Sequence, residues 1–408
     1  MLRFASSPTS DMHISTLRVA LLNYIVSKQK NEGLIVRIED MDTEKNIEAK
    51  EQEILDILSL FGIEYSQVAY QSQNSRFYTA MALQLIHEKK AFSCFCSPEW
   101  IEKKIQESKK ANKPYRYDGA CENLPAELVI DNTNPFKVRI KEPQNKNPNN
   151  IDSFIIMKED KTPTTDFRCA VDDMLSDISM VIRTKEHIDS TPKQEHIRAS
   201  LNYDKQIKYV HLPAIDNDYS VKWLLEEGYL PEAISNYLIS IGNKPQKEIF
   251  TSNEAIEWFD LEKISNSPAS FDIDKLKHIN KEHLKHLDPK ELSRYVGFAD
   301  EEIGELAKLY LTEVATTKEL RSKIKSIFAP KDIPDDLKKQ ADLMVQAVKN
   351  APYFDQYDQF ENYIISELGI DKGSFVKVFS LLLTGVDSSA NISQLYKYLK
   401  NYIGEIIK

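Results

Sequence analysis

Arg3 and Arg183 are the side chains of this sequence best suited to take a carboxylate. A guanidinium is planar, permanently charged and pairs with a carboxylate through two parallel N–H bonds. Arg183 follows an apolar run, where a strand would end. Glu39 and Asp40 follow a second apolar run, Leu34-Ile35-Val36-Arg37-Ile38, and put carboxylates at its C-terminal end. Ser7 and Thr9 lie in a Ser/Pro/Thr loop, Ser6 to Ser10, and can offer hydroxyl and backbone N–H groups to a substrate. Asp172 and Asp173 are adjacent carboxylates of the kind used in acid–base work. His13 is one further polar candidate, and Cys94, Cys96 and Cys121 supply three thiols.

These groups need elements that bring them together. Leu2 to Ala5 is a short apolar strand, Leu17, Leu21 and Tyr24 mark a helix, and Leu34 to Ile38 is a second strand. A helix between two strands is the opening βαβ unit of a doubly wound parallel sheet. Such sheets bind ligands beyond the C-terminal ends of their strands, where both the Ser/Pro/Thr loop and Glu39-Asp40 would lie. Amphipathic helices are expected over 43–61 and 75–89, a charged helix over 101–113, a loop over 141–150 and a strand at 153–157. Beyond about residue 222 the chain reads as almost wholly helical.

Composition limits the possibilities. A chain of 408 residues suggests two or three domains, with enough apolar side chains to need no disulfide or metal for its core. No run of about 18 apolar residues occurs, so no membrane span is expected, and the N-terminus carries no signal-type apolar segment. Four cysteines in this length point to a reducing cytosol. A net charge of −10 weighs against a nucleic-acid coat protein without excluding a basic binding face.

The order of motifs identifies a family. Arg3-Phe4-Ala5-Ser6-Ser7-Pro8-Thr9 followed by His13-Ile14 resembles the opening of the class I glutamyl-tRNA synthetases, which read RFAPSPTG and then HIGH. Val36-Arg37-Ile38-Glu39-Asp40 with Asp42 resembles their VRIEDTD block, and Tyr115-Arg116-Tyr117-Asp118-Gly119 their RYDG segment. Val171-Asp172-Asp173, Val181-Ile182-Arg183 and Thr191-Pro192-Lys193-Gln194 are similar to the VVDD, VIRGEDH and NTPRQ blocks. Gly228-Tyr229-Leu230-Pro231-Glu232-Ala233 and the stretch from Trp258 to Asp272 resemble the hinge and the stem region. The helical end separates this chain from the glutaminyl relatives, which end in β-barrels, and its length separates it from the short enzyme that glutamylates queuosine in tRNA.

The resemblance implies an α/β, Rossmann-like doubly wound catalytic domain over 1–230 with an acceptor-binding subdomain inserted near 68–165. A stem-contact helical domain over 231–289 and an all-helical anticodon-binding half over 290–408 would follow. It implies ATP-dependent activation of L-glutamate and transfer to the 3′ end of a glutamate-type or glutamine-type tRNA, with ATP and Mg2+ as cofactors, in a cytoplasmic monomer. Glutamate would be held by Arg3, Ala5, Ser7, Glu39 and Arg183, with Arg183 on the side-chain carboxylate and Glu39 on the ammonium. ATP would be held by Thr9, His13, Ser15 and Glu186, with His13 as the catalytic member that stabilises the transferring phosphate. The reaction needs no general-base dyad, so Asp172 and Asp173 would be structural, capping or stem-contacting. Cys94, Cys96 and Cys121 have the spacing of a zinc knuckle present in some members, but the fourth, histidine position is Asn123, so no metal is assigned.

Departures from the pattern cluster around ATP. The HIGH glycine is Ser15 and the next residue Thr16, Thr165 replaces a pocket tyrosine, and Thr184-Lys185-Glu186 replaces glycine-glutamate-aspartate. The connection that carries the KMSKS loop is only Ala214 to Ser220 and contains no lysine. About a dozen residues are absent there, and a similar number near 144–150. The expectation is a glutamate–tRNA ligase whose adenylation these losses would slow; the alternative is a catalytically weak or inactive paralogue that retains tRNA binding.

Overall fold

The computed structural model describes residues 1–144, 149–386 and 392–407, so residues 145–148 of the expected loop at 141–150 lie outside the described residues. The chain forms two compact units. The first comprises Met1–Val221, Ile239–Gln246 and Ser252–Phe271; the second comprises Lys222–Leu238, Lys247–Thr251 and Asp272–Lys408.

In the first unit, β1 (Leu2–Ser6), α1 (Ile14–Lys30) and β2 (Leu34–Ile38) form the βαβ opening, followed by α2 (Lys50–Leu60), β3 (Gln67–Tyr70) and α3 (Ser75–His87). A smaller antiparallel sheet comes next, built from β4 (Ala91–Cys94), β5 (Lys137–Ile140) and β6 (Phe154–Met157), with α4 (Pro98–Lys110) and α5 (Ala126–Ile130) between its strands. The chain then returns through α6 (Thr165–Leu175), β7 (Met180–Thr184), α7 (Ser190–Ser200) and β8 (Lys208–Leu212). The parallel sheet has the order β3-β2-β1-β7-β8. Strand order reverses at β1, between β2 and β7, and the doubly wound α/β expectation holds.

Residue alternation decides which face carries the polar groups. Leu2 pairs with both Leu34 and Met180, so Leu2, Phe4, Val36, Met180 and Ile182 share one face. That face meets α1, which is buried on nearly every side. The side-chain nitrogen of its buried Asn23 donates to Val19 O at 2.8 Å and Ile182 O at 3.2 Å. Arg3, Ala5, Arg37 and Arg183 fall on the opposite face. Short strands β9 (Ile215–Asp216) and β10 (Ala269–Ser270) pair in parallel beside the sheet domain.

Helix α2 begins at Lys50, later than the expected residue 43. The intervening segment is tied elsewhere: Ile47 N–H donates to Pro8 O, and Asn46 Nδ2 donates to Asp40 O. Ala49, in the left-handed region, then starts the helix. Helix α4 begins three residues earlier than expected because Ser97 accepts from Trp100 N–H and Pro98 occupies the first turn.

The chain continues through α8 (Val221–Glu226), α9 (Pro231–Ser240) and α10 (Ser252–Trp258). In the second unit α11 (Ile273–His286), α12 (Pro289–Tyr295), α13 (Glu301–Tyr310), α14 (Thr317–Phe328), α15 (Lys338–Asn350), α16 (Tyr357–Leu368), α17 (Lys372–Thr384), α18 (Ile392–Leu399) and α19 (Ile403–Ile406) follow, with no strand among the described residues. Asp272, Asp288, Asp300 and Asp371 cap helix starts with their carboxylates, and Thr316 with Glu319 forms a capping box. Gly304 lets α13 press on α12: a Cβ there would lie 1.8 Å from Pro289 O. Phe360, Phe375, Phe379 and Tyr396 fill the core of the C-terminal helices.

Candidate active site

The polar face of the parallel sheet carries a buried charge cluster. Arg37 Nη1 donates to Asp173 at 2.6 Å and Nη2 to Glu39 at 3.0 Å, while Arg3 Nε donates to Asp173 at 3.3 Å. Asp173 comes from α6 and is fully buried. Burial alone would raise the Asp173 carboxyl pKa, but Arg3 and Arg37 outweigh it and hold the group below the usual carboxylate range. Glu39 behaves the same way: burial opposes ionisation, and Arg37 and Arg3 enforce it. Cys169, one turn before Asp173, lies 3.4 Å from Arg37 and 3.6 Å from Glu39. Burial and the Glu39 charge push its pKa up, so it remains a neutral thiol.

Asp172, next to Asp173, is bound differently. It accepts from Gln71 at 2.7 Å, Asn74 at 2.9 Å and Tyr78 at 2.7 Å, all neutral donors, and burial raises its pKa. The two carboxylates therefore address separate partners and do not form an acid–base dyad. Both are interior positions of α6, not helix caps.

Arg183, next to last in β7, has 7% of its surface exposed. Its Nη2 donates to Thr191 Oγ1 at 2.7 Å, Nη1 to Gln194 Oε1 at 3.0 Å and Nε to His211 Nε2 at 3.3 Å. Burial and then repulsion from Arg3 lower its pKa, and among the described residues no carboxylate pairs with it.

Arg3, Ala5, Glu39 and Arg183 line one cavity of about 150 Å³, with Thr16, Arg37, Thr165, Asp166, Cys169 and Gln194 among the other lining residues. A neighbouring space of about 290 Å³ is lined by Ser7 and Thr9 and shares Ala5, Thr16, Glu39 and His187 with the first. Arg3, Arg37, Arg183 and Glu39 thus line one space, with Ser7 and Thr9 on the neighbouring one. His13, Ser15 and Glu186 line neither space. Arg37, Cys169, Thr191, Gln194 and His211 were not among the expected site residues. Arg37 and Gln194 stand inside family-like blocks, but no residue spacing marks them.

His13 and Ser15 meet the short connection instead. His13 Nδ1 is 2.6 Å from Asp218 O, Ser15 N–H donates to the Asp218 carboxylate at 2.9 Å, and the Ser15 hydroxyl donates to its other oxygen. Ile14 N–H donates to Tyr219 O at 3.0 Å. Helix α1 has no local side-chain cap, so this distant segment satisfies its first N–H groups.

The thiols of Cys94, Cys96 and Cys121 lie within 4.8 Å of one another. The Tyr117 hydroxyl is 3.6 Å from Cys94 Sγ and 3.5 Å from Cys96 Sγ, a donor that the position of Asn123 did not suggest. Burial pushes the Cys96 thiol up to about 12. For Cys94, burial is outweighed by the Cys96 N–H, Tyr117 and Arg139, which lower its pKa. The three thiols form a candidate metal cluster with the Tyr117 hydroxyl beside two of them.

Residues 1–278 match the family model of the class I tRNA synthetases (E and Q), catalytic domain. The chain is 59% identical to glutamate–tRNA ligase 2 of Sulfurimonas denitrificans and 46% identical to glutamate–tRNA ligase 1 of Nitratiruptor, with each chain covered in full. The chain belongs to the class I glutamyl-tRNA synthetase family. Both alignments run over 432 positions against the chain's 408 residues, leaving 24 positions where family members have residues and this chain has none. The fold is also that of a glutamate tRNA ligase from Elizabethkingia meningosepticum solved with its amino acid, with a TM-score of 0.80 at 22% identity over 100% of this chain and 98% of that one. A second such synthetase, from Elizabethkingia anophelis, aligns with a TM-score of 0.78.

Proposed function

We propose that this family member is a glutamate–tRNA ligase whose amino-acid pocket is the cavity between Arg3, Glu39 and Arg183. The supporting observation is a match of charge and unused hydrogen-bonding groups. Among the described residues, the terminal nitrogens of Arg3 carry no hydrogen bond, and Arg183 keeps one free N–H on each terminal nitrogen. Glu39 uses one oxygen on Arg37 and leaves the other without a donor among the described residues. Two buried cations and one carboxylate complement an amino acid with two carboxylates and an ammonium group. Arg183, which meets no carboxylate among the described residues, favours a ligand that supplies one, since a buried charge without a counter-charge is costly.

In this reading Arg183 takes the side-chain carboxylate, Arg3 the α-carboxylate and Glu39 the ammonium, with Ala5 and Ser7 at the pocket wall. ATP, entering as its Mg2+ complex, is assigned to Thr9, His13, Ser15 and Glu186 beside the second space. The α-carboxylate attacks the α-phosphorus, pyrophosphate leaves, and the terminal ribose hydroxyl of tRNA then displaces AMP from the carbonyl carbon. Fixing the two reactants side by side supplies much of the acceleration in such a reaction. The antiparallel sheet within residues 68–165 is assigned to the tRNA acceptor end, residues 231–289 to the stem and residues 290–408 to the anticodon. A glutamate-type or glutamine-type tRNA, a cytoplasmic location and a monomeric state belong to the same reading. No described helix is long and apolar enough to cross a membrane.

Calorimetry with L-glutamate and L-glutamine tests the pocket, and glutamate-dependent pyrophosphate exchange with tRNA present tests the reaction. Arg183→Ala should lose glutamate binding by about 2–5 kcal/mol, the usual result of stripping one partner from a buried charge pair. Unchanged glutamate affinity in that variant would end the assignment.

A further inference from the structure

The partners of Arg183 are chemically uniform. Gln194 Oε1, Thr191 Oγ1 and His211 Nε2 all accept from the guanidinium, and all three are uncharged. The ring nitrogen of His211 that receives Arg183 Nε–H carries no proton of its own, so the nearby Thr191 hydroxyl at 3.1 Å donates to it. Burial and the Arg183 charge lower the His211 pKa, which keeps the ring neutral. Gln194 is 2% exposed, lines the cavity, and has its amide oriented by a long contact from Nε2 to Asp166 at 3.5 Å. Asp166 is itself drawn to Lys193 at 3.8 Å. The fork is thus held in place by three bonds, with the Tyr209 ring 5.0 Å from the guanidinium, and among the described residues no carboxylate pairs with it.

Arg37 sits on the same sheet face, but its two terminal nitrogens are bound to carboxylates, Asp173 and Glu39. Its charge is neutralised inside the protein. The difference between a structural arginine and a ligand-directed one lies here in the charge of the acceptors.

We propose that Gln194 is a specificity-determining residue: it fixes the Arg183 fork with a neutral oxygen, and the preference for a side-chain carboxylate over a carboxamide depends on that neutrality. The proposal rests on the reading in which Arg183 receives the ligand's side chain. A carboxylate at position 194 would have nearly the same shape. It would pair with Nη1, neutralise the guanidinium and place a negative charge beside an incoming glutamate. The neutral amide of glutamine would meet no such repulsion.

The test compares wild type, Gln194→Glu, Gln194→Met and Arg183→Ala, using L-glutamate and L-glutamine as probes in calorimetry and in tRNA-dependent turnover. Gln194→Glu should weaken glutamate by roughly 10–100-fold, the scale of a lost pocket discrimination, leave glutamine unchanged, and leave the KM for ATP and tRNA unchanged. Gln194→Met removes the acceptor without adding charge, so it should lower affinity modestly and retain the preference. A wild-type preference in Gln194→Glu, alongside lost binding in Arg183→Ala, would overturn the role of Gln194. An equal collapse in Gln194→Met would overturn it too, because charge would then not be the cause. Full glutamate binding by Arg183→Ala would instead remove the underlying assignment and the proposal with it. If Gln194→Glu does not fold, Thr191→Asp places the charge on the other terminal nitrogen, and retention of the glutamate preference there also refutes the proposal.

Discussion

Arg183 and His211 stand directly opposite each other in the β7–β8 register, and the guanidinium Nε–H donates to the imidazole Nε2 at 3.3 Å. This bond exists only while His211 is neutral. Its folded pKa is depressed, first by burial and then by Arg183 and His187. A histidine with a lowered folded pKa binds its proton more readily in the unfolded chain, so its contribution to stability is complete above the unfolded value of about 6.5 and is lost as pH falls. His196, lowered by burial, acts in the same direction. Urea unfolding at a series of pH values from about 7.5 to 5.5, bracketing that pKa, should show falling stability. His211→Asn should flatten the slope relative to wild type; an unchanged slope would show that His211 does not contribute.

Arg37 is the hub of the charge cluster. It is 5% exposed and bonds to both Asp173 and Glu39. Arg37→Ala would strand Asp173, which is fully buried, with only the longer contact from Arg3. Breaking a buried pair by removing one partner typically destabilises by about 3–5 kcal/mol. Denaturant unfolding should show a loss of that size, and a loss of under about 1 kcal/mol would mean that the pair behaves like an exposed one.

The thiol cluster makes a prediction about metal. Cys94, Cys96, Cys121 and Tyr117 should bind one zinc ion per chain, read by elemental analysis of the purified protein. Chelation should lower the melting temperature, since a structural zinc site contributes folding energy. Tyr117→Phe should weaken retention of the ion, and Cys121→Ser should abolish it. Protein free of zinc after refolding with excess zinc would leave the cluster as packed thiols.

The connection after β8 predicts slow activation. Ala214 to Ser220 contains no lysine, and its Asp218 is already engaged with Ser15. Each preorganised donor missing from a developing charge typically slows a reaction about 10²–10³-fold. Insertion of a lysine-bearing loop between Asp216 and Asn217 should therefore raise glutamate-dependent pyrophosphate exchange. That point spares the β9–β10 pairing, which includes Asp216, and uses the left-handed turn at Asn217. If the unmodified chain already turns over at about 1–10 s⁻¹, an ordinary enzymatic rate, the lysines are not needed.

The sequence alone determined what local chemistry can determine. Apolar runs such as Leu34 to Ile38 and stripes such as Phe375, Val378 and Leu382 report which face of a strand or helix will be buried, because periodicity is set by backbone geometry within a few residues. Ordered motifs from Arg3 to Asp272 carried the family, and with it Arg3, Glu39 and Arg183 as pocket residues. The tertiary structure decided whom each charge meets. Nothing near Arg37 in sequence reveals that Asp173 neutralises it, and nothing near Arg183 reveals that its partners are all neutral. Nor could α1 announce that its first N–H groups are satisfied by Asp218 and Tyr219, some two hundred residues later. These pairings depend on strand order and register, which fix neighbours across the sheet but leave no periodic trace along the chain.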